Sequence, residues 1–189
     1  MDVIAITGGI GSGKSVVSAI LRAMGYYVYD SDKEAKRIMH TNASVRALIK
    51  TEFGEESYCG ESLNRPYLAG IVFGNDAARM KLNSIVHPEV IADFRRRCAE
   101  KAEETVFLET AILAESGMDK YVTDVWIVDA PEELRIRRVT KRDGVSEDAV
   151  LQRINAQKTS LPNSRIIVND DVIPILPQLI KLLKEIRKE

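Results

Sequence analysis

Met1-Asp2-Val3-Ile4-Ala5-Ile6-Thr7 runs directly into Gly8-Gly9-Ile10-Gly11-Ser12-Gly13-Lys14-Ser15, and this junction decides the fold. The first seven residues read as a short buried strand. Gly8 and, after four intervening residues, Gly13-Lys14-Ser15 complete the pattern G-x-x-x-x-G-K-[ST] of a phosphate-binding loop. Glycines let the backbone turn tightly and aim successive N–H groups at phosphate oxygens, where a side chain would obstruct them. The helix that follows adds its positive N-terminal end. Lys14 is suited to neutralise β- and γ-phosphates, and the Ser15 hydroxyl to ligate Mg²⁺. A nucleoside triphosphate is the expected donor, held by Gly11, Ser12, Gly13, Lys14, Ser15 and Val16.

Working outward, Val17, Ile20, Leu21 and Met24 fall at helical spacing and Gly25 closes the helix. Tyr26-Tyr27-Val28-Tyr29 is β-prone and ends in Asp30-Ser31-Asp32. Strand, loop, helix and strand make a βαβ start, and hence a parallel sheet. Between Asp32 and Glu104 strand signals nearly vanish. Lys33 to His40, Ser44 to Phe53, Arg65 to Phe73 and Asp76 to Lys101 carry helical patterns, Gly54 to Asn64 is polar and turn-rich, and Pro88 interrupts the last helical stretch. Residues 33–104 therefore read as a helical insertion, expected over the C-terminal edge of the sheet, where open α/β folds bind ligands.

Strands resume with Thr105 to Glu109 and Asp124 to Asp129, the latter nearly continuous in apolar residues, as in a strand covered on both faces. A helix from Pro131 to Arg142 carries Arg135, Arg137, Arg138, Lys141 and Arg142. Gly144 breaks it, and Ser146 opens a second helix reaching about Lys158. Arg165 to Asn169 is the fifth strand. The final helix, starting near Pro174 or Pro177, is expected to bury Leu176, Leu179, Ile180, Leu183 and Ile186.

The bulk numbers exclude several classes. The chain has 189 residues, with 45% hydrophobic and 29% charged, which is ordinary for a globular protein with one core and insertions. A net charge of −1 gives no broad footprint for nucleic acid or a membrane surface. There is no long apolar run, and no signal peptide is expected, because Asp2 and the glycine loop stand where its regions would be. Cys59 and Cys98 lack metal-ligand spacing and read as buried or half-buried thiols in a reduced, cytoplasmic setting. Nothing in the sequence fixes an oligomeric state; a monomer is compatible with it.

The loop names a donor, so the acceptor must be read elsewhere. The guanine-specificity motif of GTPases is absent, and large motor ATPases need more length. What remains is a small-kinase arrangement with a helical acceptor domain and an arginine-bearing lid, about residues 133–160. Arg138 and Arg142 lie four apart on one helix face, suited to the γ-phosphate; Arg135 and Arg137 read as solvated.

Thr7 to Ser15 followed by Asp30-Ser31-Asp32 resembles the dephospho-CoA kinase family. The resemblance continues through Leu63-Asn64-Arg65, Val72-Phe73, Leu82, His87-Pro88-Glu89-Val90, Ile112-Leu113 with Glu115, Arg138 with Lys141-Arg142-Asp143, Arg153 with Ala156-Gln157, and Ile167-Val168-Asn169. It spans almost the whole chain. It departs at Val16, where the family usually has Thr, and at Glu109 to Glu115, where the family reads Asp-x-Pro-Leu-Leu-Phe-Glu.

The resemblance implies the P-loop kinase fold: α/β, with a five-stranded parallel sheet flanked by helices. Residues 1–32 and 105–189 would form the nucleotide-binding core, and residues 33–104 the acceptor-binding insertion. It also implies ATP-dependent phosphorylation of the ribose 3′-hydroxyl of dephospho-CoA, a small-molecule substrate, at the last step of coenzyme A synthesis. Asp32 corresponds to the proposed base, with Lys14, Arg138 and Arg142 as its catalytic companions. In an extended segment Asp30 and Asp32 would share a face. His87 is expected to support the acceptor or serve as a structural histidine, Arg65 to meet an acceptor phosphate or a surface carboxylate, and Asn169 to lie near the adenine or form a turn. Glu109 is a further candidate for the metal shell. Another small-molecule acceptor, such as a nucleoside, nucleotide or shikimate-like compound, keeps the same fold, and a nucleotide-dependent switch is the alternative of a different class.

Overall fold

The computed structural model describes residues 1–101, 104–157 and 164–186. It divides into two compact units, Met1–Tyr29 with Glu103–Glu189, and Asp30–Ala102. In the first, β1 (Asp2–Thr7) leads through the glycine loop into α1 (Lys14–Ala23) and β2 (Tyr27–Asp30). The second carries α2 (Ser31–Thr41), α3 (Ala43–Phe53), the short strands β3 (Tyr58–Cys59) and β4 (Ser62–Leu63), α4 (Arg65–Val72) and α5 (Asp76–Ala99). The first resumes with β5 (Thr105–Glu109), β6 (Asp124–Asp129), α6 (Glu132–Asp143), α7 (Glu147–Asn155), β7 (Arg165–Val168) and α8 (Ile175–Ile186).

Among the described residues, five strands make one parallel sheet in the order β2-β5-β1-β6-β7. Its registers set Ile6 of β1 against Glu109 of β5 and Trp126 of β6, and Val128 against Ile167 of β7. From β1 the chain moves toward β2, and from β6 toward β7, the opposite way. The crevice between the C-terminal ends of β1 and β6 is therefore the topological switch point, where α/β sheets bind ligands. The glycine loop leaves β1 there.

One face of the sheet is closed by α1 and α8. Ile4, Ile6, Val28, Phe107, Trp126, Val128 and Ile167 pack with Val17 and Leu21 of α1 and with Leu179 and Leu183 of α8. Phe107 and Trp126 meet with ring centroids 5.3 Å apart, and the Trp126 indole N–H donates to Asp124 Oδ2 at 3.0 Å, so the polar atom of this fully buried ring is satisfied.

In the second unit α5 packs on α2, α3 and α4. A charge network holds α2 to α5: Asp93, 8% exposed, takes Arg37 Nη2 at 3.0 Å and Arg97 Nε at 2.9 Å, and Arg97 Nη2 reaches Glu34 at 3.0 Å. Asn42 caps α3 through the N–H groups of Ser44 and Val45, while its amide donates to Glu89 of α5.

The structure corrects the sequence reading at five places. Pro88 does not interrupt α5, which runs unbroken from Asp76 to Ala99. The proline forfeits one backbone bond, and the burial of Val86, Val90 and Phe94 on either side carries the helix through it. The turn-rich Gly54 to Asn64 segment folds into the β3–β4 hairpin, which Gly60 turns at φ 60°. Helix α2 starts at Ser31, so Asp30 and Asp32 do not share a strand face; Asp30 is the N-cap, its carboxylate accepting the Lys33 N–H at 2.9 Å. On α8 the inward face is Ile175, Leu179, Leu182, Leu183 and Ile186, leaving Leu176 and Ile180 exposed, about 100° around the helix. Cys59 is exposed, whereas Cys98 is buried and its thiol is pushed up to about 11 by desolvation. Among the described residues no helix is long and apolar enough to cross a membrane.

Candidate active site

Residues Gly8 to Ser12 are held through their backbone carbonyls by surrounding side chains. The Lys14 ammonium donates to Gly8 O at 2.8 Å and Gly9 O at 3.3 Å. Arg135 Nε donates to Ile10 O at 2.9 Å, Arg138 Nη1 to Gly11 O at 3.4 Å, and Asn169 Nδ2 to Ser12 O at 2.7 Å. A trans peptide points its C=O and N–H in opposite directions. Fixing the carbonyls of Ile10 and Ser12 from one side therefore directs the N–H groups of Gly11 and Gly13 to the other.

Two glycines are required by close approach. A Cβ on Gly9 would strike the Arg135 guanidinium. One on Gly13, whose φ is 99°, would strike the Asn169 amide. Ser12 Oγ is buried with no hydrogen-bond partner among the described residues, and so is Arg135 Nη2. An anionic ligand on this loop would find unspent donors, left-handed glycines and three cationic side chains, so the residues present fit a polyphosphate. Ser15 is exposed in the first turn of α1, and Val16, 49% exposed, follows it. Among the described residues no cluster of three or more His, Cys, Asp or Glu could hold a metal ion. Glu109, 9% exposed at the end of β5, has Arg22 Nη2 at 3.9 Å.

The α6–α7 hairpin packs on this loop. Val139, Val150 and Ile154 form a small apolar cluster into which Ile10 inserts with Ile136 and Val145. Arg138 reaches Gly11 and also donates to the backbone and side-chain oxygens of Asn169, at 3.2 and 3.3 Å, and pairs with Asp171. Asn169, 8% exposed, thus joins the loop to Arg138. Arg142, 63% exposed, turns instead to Asp143, making bonds of 2.7 and 3.0 Å; this pairing raises the guanidinium's pKa and lowers the carboxyl's.

Two residues of this site escaped the sequence reading. Arg135 is not solvated: it lies against Gly9 and Ile10, because positions 135, 138 and 139 share the α6 face turned to the loop. Its signal was the i, i+3 spacing to Arg138. Gln157, just after α7, accepts the Ile10 N–H at 2.7 Å across a sequence separation of 147; it stands in the family pattern with Arg153 and Ala156, but nothing in the sequence links it to the loop.

The second unit carries the acceptor candidates. Asp32 is exposed in the first turn of α2, directly after the Asp30 cap. Arg65 is exposed at the first position of α4, which Asn64 caps. His87 is half-buried and helical within α5, and desolvation lowers its pKa, so it is neutral at physiological pH.

Known proteins are similar to this chain in both sequence and architecture. The dephospho-CoA kinase family model matches residues 2–174. A dephospho-CoA kinase of Bacteroides fragilis is 39% identical over 185 residues, 95% of this chain and 90% of the relative. That of Porphyromonas gingivalis is 35% identical over 192 residues, 99% of this chain and 95% of the relative. Among solved structures, a Thermus thermophilus protein superposes with a TM-score of 0.82 at 34% identity, covering 99% of this chain and 96% of its own. The dephospho-CoA kinase from Campylobacter jejuni superposes with a TM-score of 0.71 at 26% identity, covering 98% and 97%. Shikimate kinase from Acinetobacter baumannii, at 16% identity and a TM-score of 0.54, shares the fold. Agreement of this extent in sequence and architecture places the chain in the dephospho-CoA kinase family, as an ATP-dependent phosphotransferase acting at the final step of coenzyme A synthesis.

Proposed function

We propose that the acceptor is dephospho-CoA, phosphorylated at its ribose 3′-hydroxyl, with Mg²⁺ and the nucleotide held by Gly11 to Val16. The observation that carries this reading is the backbone of Gly8 to Ser12 held from outside by Lys14, Arg135, Arg138 and Asn169, in a chain whose residues 2–174 match the dephospho-CoA kinase family. The Ser15 hydroxyl would hold Mg²⁺, which would supply charge neutralisation on the triphosphate.

Phosphoryl transfer through a loose transition state asks the protein for positioning and charge. Lys14, whose ammonium rests on the carbonyls of Gly8 and Gly9, turns to the β- and γ-phosphates. Asp32 orients the acceptor hydroxyl and takes its proton as the oxygen bonds to the γ-phosphorus and the bond to the ADP oxygen breaks. Arg138 and Arg142 neutralise charge on the transferring group, Arg142 by leaving Asp143. Asn169 supports Arg138 and the adenine side of the nucleotide. Arg65 meets an acceptor phosphate, and neutral His87 supports the acceptor by hydrogen bonding.

Release of ADP measured across dephospho-CoA, nucleosides, nucleotides and shikimate tests the acceptor. Turnover is expected with dephospho-CoA, giving a 3′-phosphate by phosphorus NMR; indifference to dephospho-CoA with turnover of another acceptor would overturn the assignment. Asp32→Asn is expected to lower kcat by about 10²–10⁴-fold with nucleotide affinity nearly unchanged, and near wild-type kcat would remove the base. Arg138→Ala and Arg142→Ala are each expected to lower kcat by about 10²-fold or more, with a smaller loss of nucleotide affinity. Small, equal effects on both quantities would remove the arginines from the chemistry.

A further inference from the structure

The two peptides that flank Ile10 are held from the two ends of the α6–α7 hairpin. Arg135, near the start of α6, donates to Ile10 O, and Gln157, just beyond α7, accepts from Ile10 N–H. Between them the Ile10 side chain is seated among Ile136, Val139, Val145, Val150 and Ile154. The two hydrogen bonds do different things. Arg135 fixes the peptide that follows Ile10, aiming the Gly11 N–H. Gln157 fixes the peptide that precedes it: with the Ile10 N–H drawn to Gln157, the Gly9 C=O points the opposite way, toward the Lys14 ammonium at 3.3 Å and the Ser12 N–H at 3.2 Å.

We propose that Gln157 is a positioning residue for the nucleotide loop, setting the Gly9–Ile10 peptide so that Gly9 O faces Lys14 and the Ser12 N–H. Glycine on one side leaves this peptide free to rotate, and a left-handed Gly11 follows at φ 78°, so without Gln157 the loop samples orientations that misdirect its donors. The amide suits the task because it offers an acceptor without a charge; a carboxylate there would oppose an anionic ligand. The contact is to the loop alone, so the effect falls on the nucleotide and not on the acceptor. A residue that holds the loop equally in ground and transition states changes affinity, not turnover.

The proposal rests on the loop being the nucleotide site and is independent of the acceptor's identity. Gln157→Met, close in length but without the amide acceptor, and Gln157→Ala are compared with the wild-type chain by ATP titration calorimetry, steady-state kinetics and thermal melting. Loss of one net hydrogen bond is expected to raise the ATP Kd and KM about 3- to 10-fold in both variants, with kcat at saturating ATP and the acceptor KM unchanged. An unchanged ATP Kd in either folded variant overturns the proposal, as does an acceptor KM that rises in step with a lowered Tm, which is the mark of a general structural role. Wild-type binding of ATP without turnover of dephospho-CoA would strike the acceptor assignment and leave the calorimetric comparison decisive for Gln157.

Discussion

The site depends on one constraint: the carbonyls of a glycine-rich loop are bound on its outer side by the chain's own side chains. A loop of this composition has little intrinsic preference for one shape, since glycine leaves φ and ψ open. Lys14, Arg135, Arg138 and Asn169 remove that freedom by occupying the carbonyls of Gly8 through Ser12. Preorganised donors are what electrostatic catalysis requires, because they need not be reoriented during the reaction. The arginines therefore contribute twice, as fixed supports of the loop backbone and as charge near it.

Three of the four supports, Arg135, Arg138 and Asn169, come from late in the chain and the loop from its beginning, and the sheet explains how they meet. With β1 between β5 and β6, the loop after β1 emerges beside the α6 that follows β6 and the Asn169 that follows β7. The Asn169 N–H donates to Asp129 O at the end of β6, continuing the ladder by one residue. The helical unit has a different economy. It lacks an extended sheet and is organised by the long α5 and the Asp93–Arg37–Arg97–Glu34 network, which holds α2, and with it Asp32, against α5. A buried carboxylate shared by arginines specifies one packing of these helices, since removing either partner leaves an uncompensated charge.

The strands of the sheet and the helices of the core were legible because their signals are local: apolar runs for β1, β5 and β6, capping residues such as Ser146, and Gly144 after α6. Failures occurred where tertiary packing outweighs a local rule. Pro88 reads as a break, yet the apolar positions around it bury the helix on both sides. Asp30-Ser31-Asp32 reads as extended, yet Asp30 begins a helix by capping it. At the site, the loop reads from its motif and Asn169 from the family pattern, and the structure joins Asn169 to the loop through Ser12 O. Arg135 was set aside because an arginine on a helix is usually solvated, and only the packing of α6 across Gly9 shows otherwise. Gln157 belongs to a pair whose members are joined by the topology alone.

Backbone amide hydrogen exchange of the nucleotide-free protein tests the central claim most directly, because it reads the loop peptide by peptide. If the loop is set from outside, the Ile10 amide, donated to Gln157 Oε1 at 2.7 Å, exchanges far more slowly than an unprotected amide before ATP is added. Exchange of Ile10 at the unprotected rate, with protection appearing only on nucleotide binding, would show instead that the ligand shapes the loop and would contradict this account.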